Sequence, residues 1–461
     1  MSFADLQSIP EAVAAADEAL AALDDAFVTG FGRLSGANLE ALAGLQRSFA
    51  ATPLGAAFTE AIAGIARSEF VDRHFLVLAA ARAALHGAAH DALVAQACAA
   101  LGRPAPAREA IDAGASQEPP PQIAIWLEST RQWLMELALA GFANLEVDIL
   151  LPFQATLDAI SGEPRLARQA ALLSGLLGEF LEVFPCRGTP EVPRQRWSDL
   201  WTRAMVLSAA PPEPIRSRPV KGELRLLGAD VREHDNFATL VAYAALYEAG
   251  HEDTPRLVRA SASAFKVDVI QGAELGPLLA DVAGTLLAGL AATKKIAIDG
   301  MSLSDGGDLL WDDSKAKLGG AADPLAEAAA VLDAGKTPAA RPTLAPADRH
   351  PALIEEPIYL ASYARADKPE LEIDGATIPL AVDRWPTSDD LSVASLDGEH
   401  GLFGLLRFDA GQWSIQPLTA LKGRGKGKLQ MLGQAIAAGK GARTSSLATL
   451  KERASKLLRQ K

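Results

Sequence analysis

The sequence predicts an α+β multidomain protein with a helical N-terminal half and an antiparallel, β-rich C-terminal half. Three observations carry this expectation. Apolar residues recur at steps of three and four over most of Ile9 to Ser208. A proline-dense stretch, Ala209 to Pro219 (AAPPEPIRSRP), cannot continue a helix. Beyond it the apolar period shortens to two, β-branched residues increase, and Gly or Asp clusters separate the segments. At 461 residues the chain is long enough for several cores. Its apolar share comes mostly from Ala and Leu, which favours helix where Ala is dense.

Residues 1–102 read as a helical unit broken at Gly30, Gly36 and Pro53, with Thr52-Pro53 as a helix start. Its strongest helical segment is Glu69 to Leu101. Residues 103–122 mix Pro, Ala, Gly and charge without a period and read as a linker. Helical spacing resumes over 123–208, through Trp126, Trp133, Leu137 and Phe142, then Leu166 to Phe184, as a bundle unit. It ends on a helix carrying Trp197, Leu200, Trp201 and Met205 on one face, where the aromatics are expected to be core. Residues 209–219 form the Pro-rich linker.

The α+β unit spans 220–318. Strands are expected at Glu223 to Leu227, Thr239 to Tyr247, Leu257 to Ile270, Lys294 to Ile298 and Leu309 to Trp311, with a helix at Leu275 to Ala292 laid on the sheet. Residues 319–351 are a second linker with one short helix near Pro324. A small barrel or sandwich then occupies 352–421, opening on a hairpin whose Asp374-Gly375 pair suits a tight primed turn. Its further strands are Leu391 to Leu396, Leu402 to Phe408 and Trp413 to Leu418. Ile298-Asp299-Gly300 and Ile373-Asp374-Gly375 match over three residues, which the default use of Asp-Gly as a turn pair explains better than duplication of the β units.

Residues 422–461 form a basic tail. From residue 421 onward eleven Lys and Arg face one acid, Glu452, although the whole chain carries −13. An acidic body with a cationic arm points to an anionic partner. Lys422, Arg424, Lys426 and Lys428 are spaced by Gly, while Lys451, Arg453, Lys456 and Arg459 belong to an expected amphipathic helix over Ser446 to Lys461. These eight residues are the expected partner-binding set. No aromatic follows Trp413, so the tail itself lacks side chains for base stacking.

Two cysteines, Cys98 and Cys186, can build neither a disulfide framework nor a Cys-rich zinc site. With no basic-then-apolar start at Met1 to Ile9, and apolar runs about half the roughly 20 residues of a spanning helix, the expectation is a cytoplasmic protein without a membrane span. Gly-x-Ser-x-Gly, Walker A and Gly-x-Gly-x-x-Gly motifs are absent, and no cofactor is expected. His86 and His90 share a helical face, with His74 three turns earlier and Asp91 adjacent, but a third metal ligand is missing. Asp305, Asp308, Asp312 and Asp313 are dense enough for a divalent cation yet lack EF-hand spacing, so solvated turns are expected.

Four segments, Arg131 to Gly141 (RQWLMELALAG), Gly162 to Arg168 (GEPRLAR), Ser198 to Ala204 (SDLWTRA) and Gly222 to Gly228 (GELRLLG), resemble uncharacterised bacterial proteins from gene clusters of SWIM zinc-finger, MoxR-type AAA+ ATPase and VWA proteins. The SWIM signature needs more Cys than this chain has, so the resemblance implies no zinc or DNA-binding residues. What it implies is an accessory component beside an AAA+ ATPase. The expected function is therefore a non-enzymatic interaction or scaffold component engaging an acidic protein partner. The alternatives are an electrostatic nucleic-acid binder and a metal-dependent hydrolase using Asp305, Asp308, Asp312 or His86 and His90.

Overall fold

A computed structural model of the chain describes residues 2–105, 119–184, 186, 192–209, 216–234, 237–267, 270–332, 348–366, 368–385, 391–393, 396, 401–422 and 428–438. The helical half comprises α1 (Glu11–Thr29), α2 (Gly36–Gly44), α3 (Gln46–Phe49), α4 (Gly55–Ala66), α5 (Asp72–Ala100), α6 (Pro121–Ala140), α7 (Val147–Leu150), α8 (Gln154–Ser161), α9 (Ala167–Val183) and α10 (Arg194–Ala209). The segments flanking 103–122 share one apolar core, in which Phe27, Phe75 and Leu78 pack with Trp133, Phe142, Phe180, Trp197 and Trp201. The two expected helical units are therefore one body, because each offers an apolar stripe that only the other covers. Thr52 does not start a helix: its hydroxyl donates to Phe49 O at the end of α3, and α4 begins at Gly55.

The helical half contains a local repeat. Helices α1 and α6 both end on glycine with positive φ (Gly30, 96°; Gly141, 85°), pass through a 3-10 turn opened by Phe31 or Phe142, and reach an extended Leu34 or Leu145. The two helix ends touch there. A Cβ on Gly30 would lie 2.6 Å from Ala140 O, and one on Gly141 would lie 2.5 Å from Gly30 N. Only glycine allows both the positive φ and the approach. The shared signal is Gly-Phe-x-x-Leu at 30–34 and 141–145.

The second half begins with β1 (Ser217–Glu233), β2 (Phe237–Glu248), β3 (Arg256–Phe265), α11 (Leu275–Ala292), β4 (Lys294–Ser304), β5 (Asp308–Leu310), β6 (Ala316–Ala321) and α12 (Pro324–Val331). Strand β1 pairs antiparallel with both β2 and β4, β2 with β3, β3 runs parallel to β5, and β5 returns to β4. The five strands close into a barrel, and β6 adds to the far edge of β4. That circuit, with a helix between its third and fourth strands, is the topology of an OB-type barrel. The long β1 curves through a bulge between Leu226 and Gly228. The closed barrel thus lies within 217–310, not in 352–421, and β1 already includes Ser217 to Pro219 of the expected linker. The Ile-Asp-Gly match is not a duplication: Gly300 sits at a bulge inside β4, whereas Asp374 and Gly375 make a hairpin turn.

The C-terminal part holds β7 (Glu356–Leu360), β8 (Ala364–Arg365), β9 (Glu370–Ile373), β10 (Ala376–Pro379), β11 (Leu402–Asp409), β12 (Gln412–Lys422), β13 (Lys428–Met431) and α13 (Gln434–Ala437). It forms a four-stranded sheet, β13-β12-β11-β7, and a three-stranded one, β10-β9-β8. Leu391 and Leu396 are buried but belong to no strand among the described residues. Residues 428–438, expected in the tail, are part of the body, with Met431, Leu432, Ala435 and Ile436 buried.

Alternation explains how the barrel carries this sheet. On β2, Leu240, Ala242, Ala244 and Leu246 point into the barrel with α11, while Val241, Tyr243 and Ala245 pack outward on the C-terminal core. Between the layers Arg407 is buried against Asp230, Glu355 and Gln416. Helix α11, at 18 residues the one described helix long and apolar enough to cross a membrane, is 44% buried and broken at Ala283 (φ −147°, ψ 48°).

Candidate functional site

Helix α5 crosses from one core to the other, and its polar residues cluster between them. Phe75 to Ala81 face the helical core, and Ala89 to Ala100 face the C-terminal one. Between these runs Arg82, His86 and His90 repeat every four residues, so they form one stripe. Asp199, Thr202 and Arg203, spaced three and four apart on α10, meet it. Asp348-Arg349-His350, just ahead of β7, completes the cluster.

Arg82 is the hub. Fully buried, it donates to Asp24 on α1 at 2.8 and 3.3 Å and to Asp199 at 2.5 Å. Three consecutive residues from the C-terminal half then plug into the helices. Asp348 pairs with Arg168 and, at 3.8 Å, with Arg203. Arg349 pairs with Asp91 and donates to Gly87 O at 3.3 Å. His350 Nε2 lies 3.2 Å from one Asp199 oxygen, and His86 Nε2 lies 3.2 Å from the other. Both contacts are close enough for electrostatic attraction but neither is aligned as a hydrogen bond.

Burial alone would push the Asp199 carboxyl up. The two imidazoles and Arg82 outweigh burial and hold it well below the usual carboxylate range. Burial brings His86 down to about 4, with Asp199 opposing and Arg82 and His350 adding to the shift, so the ring is neutral at pH 7. Asp24 is raised, burial exceeding the pull of Arg82, while burial lowers Arg203.

A ring nitrogen of His86, an oxygen of Asp199 and a ring nitrogen of His350 lie within 4.8 Å of one another, and the Nε2 atoms are the ones that approach Asp199, a donor set that zinc accepts. The surroundings do not fit an ion. A ligating imidazole uses its bare nitrogen and donates the other N–H outward. Nδ1 of His350 instead accepts the Ala352 N–H at 3.1 Å, so the neutral ring carries its proton on Nε2, the atom that would have to ligate. Arg82 already occupies Asp199, and Arg203 and Arg349 add positive charge.

The residues singled out from sequence are placed differently from one another. His86 and His90 do share a face, but His90 turns to Asp91 at 3.2 Å, and His74 caps Glu69 O at 2.9 Å. The true neighbours of His86, Asp199 and His350, carry no local signal because three distant segments supply them. Asp308 pairs with Arg259 at 2.8 Å, Asp312 accepts the Ser314 N–H, and Asp313 accepts the Thr285 N–H at the break in α11. Asp305 is exposed beside them. Of the partner-binding set, the backbones of Lys422 and Lys428 pair in register between β12 and β13. Arg424, Lys426, Lys451, Arg453, Lys456 and Arg459, with the expected amphipathic helix, lie outside the described residues.

A second feature lies on the barrel. The outward face of β3 carries Ser261, Ser263 and Phe265, and the C-terminal sheet leaves that end uncovered. Phe265 is 88% exposed and stands opposite Phe237, 40% exposed, on β2. His234 stacks on Phe237 with ring centres 5.0 Å apart and planes 14° from parallel. Thr239 and Ser263 join hydroxyls at 2.7 Å beside them.

No protein-family model, curated protein or solved structure matches this chain.

Proposed function

We propose that the protein is a non-enzymatic interaction component. In this reading its basic C-terminal segment engages an acidic protein partner, such as a subunit of an AAA+ ATPase system, and the open aromatic end of the barrel is a second contact. The observation that supports it is Phe265, the most exposed large apolar side chain among the described residues, with Phe237 and His234 beside it. Aromatics in a contiguous exposed group mark interaction surfaces more often than scattered apolar residues do. The polarity of the chain supports the other half, since residues 439–461 carry +6 against −19 on the preceding 438, which favours long-range steering toward an acidic surface.

The test follows from where the body ends. Truncation after Ala438 removes the distal cations and keeps β13 and α13 intact. Affinity purification from the native cell should recover one dominant acidic partner. Both the truncation and Phe265→Asp should reduce its recovery at least several-fold. If neither changes the recovered set, this reading is wrong.

The stacked His234–Phe237 pair on an open barrel face favours one second reading, single-stranded nucleic acid. Bases stack on such platforms for roughly 1–3 kcal/mol each, and small barrels of this topology offer that face to oligonucleotides. Here the cations would contact phosphates, so affinity for an oligonucleotide should fall steeply with salt, and Phe265→Ala should weaken it at every salt concentration. Failure to bind a mixed-sequence oligonucleotide at low salt eliminates this second reading and leaves the first untouched.

A further inference from the structure

Four nitrogens in the α5–α10 cluster are buried without a hydrogen-bonding partner: Nδ1 and Nε2 of His86, Nε2 of His350 and Nε of Arg203. Their three residues line a single cavity of about 20 Å³, together with Arg82, Arg349, Thr202 and the carboxylate of Asp199. Buried polar atoms are nearly always paired, and a lone one costs roughly 1–3 kcal/mol. Several on one cavity wall therefore call for a shared partner.

The chemistry of that partner can be read from the donors. Arg203 Nε can only donate, and His350 must donate from Nε2 because Nδ1 already accepts from Ala352. His86 can present an N–H from either nitrogen. Acceptors nearby are committed: Asp199 lies between Arg82 and both imidazoles, Asp24 serves Arg82, and Asp91 serves Arg349. Arg203 is the least compensated cation, since its ion pair with Asp348 is 3.8 Å long and Asp348 is shared with Arg168. Three guanidinium groups and spare N–H donors, around a space whose one carboxylate, Asp199, is already engaged by Arg82, attract negative charge. The volume admits about one water-sized body, which suits a monatomic ion better than a metabolite.

We propose that the cavity between α5, α10 and His350 binds a small inorganic anion of chloride size, held by Arg203, His350 and His86. The ion would tie the 348–350 plug to the helices, so occupancy would strengthen the junction between the two halves. The site is independent of the partner-binding reading above.

The test uses the full-length protein and sodium chloride as the probe, with sodium gluconate as a reference anion too large to enter. At constant ionic strength, replacing gluconate by chloride should raise Tm by about 1.5 °C, the shift expected for a chain of this length from a ligand at some ten times its Kd. The chlorine-35 resonance of the solution should broaden with wild-type protein and sharpen with Arg203→Met. That variant should keep a cooperative melt, because Arg203 is partly exposed and makes one long ion pair, and should lose the chloride shift. Equal Tm in both salts without resonance broadening would mean that the cavity holds water, and the proposal fails. A chloride shift that persists in Arg203→Met would assign the effect to the general surface and overturn it equally.

Discussion

Arg82 is the residue on which the buried charges depend. Replacing it with Met would leave Asp24 and Asp199 facing each other with their shared cation gone, and breaking a buried pair from one side costs roughly 3–5 kcal/mol. An unfolding free energy in urea lowered by less than a third of that would show the network to be more solvated than its 1% exposure implies. His86 gives a second prediction, with a definite sign. In the unfolded chain its imidazole takes a proton near 6.5, and in the fold near 4. Between those values the unfolded state binds more protons, so stability is complete above about pH 6.5 and is lost as pH falls toward 4, by about 3 kcal/mol. His90, also lowered by burial, acts in the same direction. Unfolding free energies across this window should show the slope in the wild type and a flatter one in His86→Leu. From sequence, His86 could be noticed only through its spacing to His90. Its electrostatic partners lie on α10 and next to β7, and no periodicity links positions that meet only after the whole chain has packed.

At the level of elements, legibility followed local chemistry. The hairpin turns were readable because positive φ leaves a signature: Asp374-Gly375 (52° and 81°) and Ala410-Gly411 (48° and 75°) join β9 to β10 and β11 to β12. The strands expected at 223–227, 239–247 and 257–270 and the helix at 275–292 were readable from period, although the third strand ends at Phe265, five residues short of its expected end. Their closure into a barrel was not, because β1 finds β4 across most of the unit and β5 is three residues long. Leu391 to Leu396 looks like a strand through alternation alone, yet its described residues, 391–393 and 396, belong to no strand, and Leu391 and Leu396 are buried in the core. The acidic run after β5 also gains an explanation. Asp313 accepts from the Thr285 N–H at 2.9 Å and its hydroxyl at 3.1 Å, so it caps the second segment of α11 beyond the break at Ala283. Asp313→Ala should therefore destabilise the barrel by roughly 1–2 kcal/mol in thermal or denaturant unfolding, with Asp313→Asn recovering part of the loss. A neutral result for Ala would mean that packing, not capping, holds the broken helix.

The whole molecule is organised around a strut. Helix α5 has 29 residues, about 43 Å of rise. Its first half contributes Phe75, Leu78, Ala79 and Ala81 to the helical core, and its second half contributes Ala89, Leu93, Val94, Ala97 and Cys98 to the C-terminal core. Helix α1 runs beside it but gives the second core only Val13 and Ala16. The charge polarity of the chain could be counted from the sequence, but this coupling could not, since a long Ala-rich helix reads the same whether it serves one core or two. Two cores sharing one continuous helix should unfold together, although a chain of 461 residues would ordinarily melt in parts. Calorimetry of the wild type should accordingly give one transition. Ala84 is exposed and lies between the two contact runs, so Ala84→Pro removes no buried side chain while breaking a helical hydrogen bond and straining the turn before it, for about 3 kcal/mol or more. The expected result is two resolved transitions with the upper one near the wild-type temperature. One transition, merely shifted downward, would place the coupling in the 348–350 plug and α1 instead of the backbone of α5.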